Sequence, residues 1–95
     1  MSEEQTNGGE RLPKLDFSTF VLSLSHSAFV HLGDVPQPGG ESHEKNLALA
    51  RQTIDILAIL CEKTKGNLSG DEERLLEQVL YELRIRYVEV SKGAP

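Results

Sequence analysis

Phe17-Ser-Thr-Phe-Val-Leu-Ser-Leu-Ser-His-Ser-Ala-Phe-Val-His-Leu-Gly33 runs for seventeen residues without one Asp, Glu, Lys or Arg, in a chain that is 26% charged. The run is too short, and too rich in Ser and His, to span a bilayer. It is also too apolar for the outer helix of a small monomer. Phe17, Phe20, Val21, Leu24 and Ala28 recur at helical spacing and make one stripe. Leu22, Phe29 and Leu32 fall on a different side, and Ser23, Ser27 and Val30 form a narrow face of small residues. Part of the run alternates as a strand would, but its full length favours a helix over 17–32. Asp16 is placed to cap its start, and Gly33 to end it in a left-handed conformation. A helix apolar on more than one side expects protein on more than one side. The three residues that cannot all turn inward, Leu22, Phe29 and Leu32, are therefore the expected self-association surface.

Downstream, Asp34 to Lys45 contains two prolines and two adjacent glycines. This connection is longer than the roughly 2–8 residues usual between helices. Asn46 is the cap expected for a second helix from Leu47 to about Lys65. Its seams are Leu47/Ala50/Ile54/Leu57/Cys61 and Leu49/Thr53/Ile56/Leu60, with Ile59 widening the apolar surface, so it should lie at the centre of its assembly. Arg51 and Asp55 stand one turn apart as an expected ion pair. Gly66 gives the next stop. Ser69-Gly-Asp-Glu72 then has the form of a capping box opening a third helix over 70–91, with Asp71, Glu72 and Glu73 at its positive end. Leu76, Val79, Leu80, Leu83, Tyr87 and Val90 form the inner face; Arg74, Glu77 and Arg84 lie outside. The short turn makes helices two and three an antiparallel hairpin. The expected fold is all-α, with an acidic disordered tail over 1–15, a Pro/Gly loop over 33–45 and a frayed end over 92–95.

The ordered part is small enough that oligomerisation is a common remedy for a thin core. The net charge of −5 argues against a nucleic-acid partner, since phosphate binding needs clustered Lys and Arg. Cys61 is the single cysteine, so no internal disulfide forms, which fits a reducing compartment. Met1-Ser-Glu-Glu-Gln5 lacks the basic start and apolar stretch of a secretory signal, and a cytoplasmic location is expected.

Specific chemistry is hard to find. His26 and His31 are five apart, about 140° round a helix, and with His43 and Cys61 they make no ligand spacing; no metal or other cofactor is expected. Cys61 lies on an apolar seam without an evident base, and Ser18, Ser23, Ser25 and Ser27 lack a nucleophile motif. Arg84 and Arg86, two apart, do not share a face and cannot clamp one phosphate together; Glu82 and Glu89 are the expected partners of Arg86. No enzymatic activity is expected.

The segments Asp16-Phe-Ser-Thr-Phe-Val-Leu-Ser-Leu24, His31-Leu-Gly-Asp-Val-Pro36, Asn46-Leu-Ala-Leu-Ala-Arg-Gln-Thr-Ile-Asp55, Glu62-Lys-Thr-Lys-Gly-Asn-Leu68 and Leu80-Tyr-Glu-Leu-Arg-Ile-Arg-Tyr87 together resemble a bacterial family known only as domain of unknown function 1844. The resemblance covers about Leu15 to Val90. It implies a small helical bacterial protein and brings no activity, cofactor or catalytic residue. Its pattern runs through Arg51, Gln52, Thr53, Asp55, Arg84, Arg86 and Tyr87, the first place to seek a polar site, or else the framework that sets hairpin register. The leading expectation is a self-associating module, a homodimer or higher homo-oligomer offering a surface to a protein partner. The alternative is a small-molecule or anion binder using Arg51, Arg84 and Arg86.

Overall fold

A computed structural model describes residues 14–35 and 45–93. It contains α1 (Phe17–Leu32), α2 (Leu47–Lys63) and α3 (Gly70–Ser91), with no strand among the described residues. The fold is all-α, as the periodicity predicts, and each helix packs on the other two. The disordered tail expected over 1–15 falls mostly, and the Pro36–Gly40 loop entirely, outside the described residues.

Local chemistry sets the helix ends. Asp16 is extended (φ −132°), and its carboxylate accepts the Thr19 N–H at 2.9 Å. Hydrogen bonding from Thr19 stabilises the ionised form and holds the Asp16 carboxyl below its usual pKa. At the other end Gly33 takes φ 86°, which a side chain would resist. Its N–H donates to the Val30 carbonyl and the Asp34 N–H to the Phe29 carbonyl, both at 3.0 Å, completing a Schellman closure. Asn46 caps α2 by accepting the Leu49 N–H at 3.0 Å. The capping box of α3 is complete: Glu72 N–H donates to Ser69 Oγ at 3.2 Å, and Ser69 N–H to Glu72 Oε1 at 2.9 Å.

Helix α2 stops at Lys63, two residues before the expected Lys65. The Thr64 hydroxyl donates back to the Leu60 carbonyl at 2.8 Å, and the Lys65 N–H turns to the Glu62 carbonyl, three residues back instead of four. That tightening ends the α-helical ladder and leads into Gly66 at φ 84°. The chain then reverses into α3.

The core joins Val21, Ala28 and Leu32 of α1 to Ala50, Ile54 and Leu57 of α2 and Leu76, Val79, Leu80, Leu83 and Val90 of α3. Ala28 and Ala50 are fully buried within it. Leu32, expected on the outward side, is 1% exposed and belongs to this core. Phe29 is half-buried and packs against it. The reason lies at the end of α1: the Asn46 N–H donates to the His31 carbonyl at 2.7 Å, and Asp34 binds Arg86 of α3. The last turn of α1 is thus held between the start of α2 and the end of α3, with Val30 and Leu32 buried. The first turns lack that cover, so Phe20, expected inside, is 43% exposed and Leu22 is 52% exposed. Leu49, Ile56 and Ile59 of α2, part of its broad apolar surface, are exposed in the single chain.

Candidate functional site

Helix α3 has two apolar faces. Leu76, Val79, Leu83 and Val90 are buried against the other helices. Tyr81, Ile85 and Val88 follow one another at spacings of four and three, so they form a second stripe. At about 100° per residue, Tyr81 lies roughly 160° from Leu83, on the far side of the helix from the core. Tyr81 is 67% exposed, and Ile85 and Val88 are also exposed. These three residues, with Leu80 and with Cys61 of α2, line an open groove of about 620 Å³. Its charged rim is Glu77, Arg84 and Glu89. Such a surface offers apolar contact with both signs of charge at its edge. The expected inner and outer faces of α3 do not include this stripe, although its spacing is the available signal.

The polar residues suggested by the sequence do not gather into one site on α3. Arg84 and Arg86, about 200° apart, face different neighbours. Arg84 borders the outer groove. Arg86 is turned to the corner where α1 ends. Its Nε donates to Asp34 Oδ2 and its Nη2 to Asp34 Oδ1, both at 2.8 Å, and its Nη1 donates to Glu89 Oε1 at 3.0 Å. These bonds, those to Asp34 first, raise the guanidinium pKa further above its already high ordinary value. A permanently charged group held by these bonds is suited to fixing geometry, and it cannot exchange protons. Glu89 is a partner of Arg86, as expected. Glu82 instead accepts a hydrogen bond from Gln78 Nε2 at 3.2 Å.

The pair Arg51–Asp55 is present at 3.8 Å, with both side chains largely exposed. Gln52 is exposed beside it, and Tyr87 is half-buried against the core. His26 is exposed and His31 half-exposed; His43 falls outside the described residues. No group of three His, Cys, Asp or Glu gathers to hold a metal among the described residues. No helix there is long and apolar enough to cross a membrane.

Compared with known families, residues 14–89 match the family model described as Domain of unknown function (DUF1844). Neither the curated proteins nor the solved structures contain a match.

Proposed function

We propose a role for a chain that belongs to the DUF1844 family: it is a non-enzymatic cytoplasmic module that works as a homodimer and offers a surface to a protein partner. The supporting observation is the outer stripe Tyr81, Ile85 and Val88, an apolar face turned away from a core the same helix already completes. Full burial of such a side chain contributes about 1.5–3 kcal/mol, so covering three half-exposed ones recovers about 2–4 per chain. A two-fold contact doubles this to about 4–8 kcal/mol, against an association cost of about 4–15. The stripe alone therefore reaches the threshold for a dimer, and its rim decides affinity.

Leu22 remains available from the surface first expected; Leu32 and Phe29 are occupied by the fold. The anion-binding alternative draws less support, because Arg86 is already engaged by two carboxylates and Arg84 faces elsewhere. Sedimentation velocity across the micromolar range tests the proposal. A concentration-dependent shift toward twice 10.5 kDa supports it, and a single monomeric species throughout removes it.

A further inference from the structure

We infer that a second copy of this chain packs antiparallel on the outer face of α3, with the two Tyr81 side chains at the two-fold axis and Arg84 of each copy against Glu77 of the other. The inference rests on the self-association proposed above and specifies its face and register.

Glu77 and Arg84 are seven residues apart, two turns of helix, so they stand on the same flank of the Tyr81 stripe, roughly 10 Å apart along the axis. Neither makes a hydrogen bond or ion pair with the described residues. In contrast, Arg51, Arg74 and Arg86 each hold a carboxylate of their own chain. A two-fold axis that reverses helix direction brings each flank against its own copy. Glu77 then meets Arg84 and Arg84 meets Glu77, twice per dimer, around a midpoint between Leu80 and Tyr81. Tyr81, the most exposed apolar residue of α3, lies at that centre. Glu82, about 100° round from Tyr81, lies at the edge of the opposite flank. A parallel arrangement keeps the copies level and joins opposite flanks, so that Arg84 faces Glu89, which Arg86 already holds, and Glu77 faces only the acid Glu82. The opposite charges on one flank are therefore fully self-complementary in the antiparallel register, whereas the parallel one sets Glu77 against an acid.

Charge reversal tests this by sedimentation equilibrium on the full chain, with circular dichroism confirming helicity. Arg84→Glu and Glu77→Arg should each weaken dimerisation about tenfold or more, since two attractive pairs become two repulsive ones. The double reversal should return the dissociation constant close to the original. Singles that weaken without recovery in the double overturn the reciprocal pairing. A dimer indifferent to both reversals overturns the face and register while self-association stands, and a monomer at all concentrations removes both. Independently of these variants, Tyr81→Cys in a Cys61→Ser background should form an interchain disulfide on mild oxidation, which Gln52→Cys in the same background should not. Equal cross-linking at the two positions overturns the placement of Tyr81.

Discussion

Arg86 grips Asp34 with two parallel hydrogen bonds of 2.8 Å across 52 residues of chain. Both side chains are about three-quarters buried, so this contact resembles neither a free surface pair nor a fully desolvated one. It fastens the end of α1, whose Schellman closure presents Asp34, to the last turns of α3.

Removing one member leaves a partly buried charge short of its partner. Asp34→Ala should therefore lower the melting temperature clearly more than Arg51→Ala, which breaks a long, exposed contact of a type that contributes about 0–1 kcal/mol. Arg86→Lys should not rescue the clamp, because a single ammonium cannot reproduce two parallel bonds. Thermal melts of the three variants check the order.

The capping box of α3 makes a local prediction. Ser69→Ala removes the acceptor of the Glu72 N–H and should cost about 0.5–2 kcal/mol. Denaturant unfolding with an unchanged slope measures it.

Core and surface leucines should separate sharply. Leu83→Ala empties a fully buried site and should cost about 2–5 kcal/mol, whereas Leu22→Ala at an exposed position should stay within about 0.5 kcal/mol. Leu32→Asp should unfold the chain, which distinguishes a core residue from one that faces a partner.

Asp16 links stability to acid. Its pKa is lowered in the folded state, so the unfolded chain binds more protons as pH falls. The contribution is present above the unfolded pKa of about 3.9 and is lost as pH drops through the lower folded value. Melting temperature measured from neutral pH down to strongly acid pH should fall less steeply for Asp16→Asn than for the parent chain.

The helix ends were legible in the sequence because their chemistry spans few residues. Asp16 reaches Thr19, Asn46 reaches Leu49, and Ser69 and Glu72 reach each other. The same locality explains what was missed. Nothing near Arg86 in sequence points to Asp34, and helical spacing ranks the sides of α1 without saying which of them its neighbours cover. Spacing alone therefore places Leu32 outward, although the Asn46–His31 hydrogen bond and the Arg86 clamp enclose that turn. The outer stripe of α3 was readable as Tyr81, Ile85 and Val88, but the inner face of the same helix already accounted for its apolar content. The polar residues Arg51, Arg84 and Arg86 were visible as a group only along the chain; folding disperses them.

The bond from the Asn46 N–H to the His31 carbonyl, with the Asp34 clamp beside it, also bears on how this chain can change length. Both ends of the connection between α1 and α2 are moored to the same corner by contacts that do not involve residues 36–44. Closing a loop between fixed points costs only about 0.6 kcal/mol more for each doubling of its length. Lengthening the connection between Val35 and Lys45 should therefore add little closure cost, so a tag or reporter can be inserted at this corner.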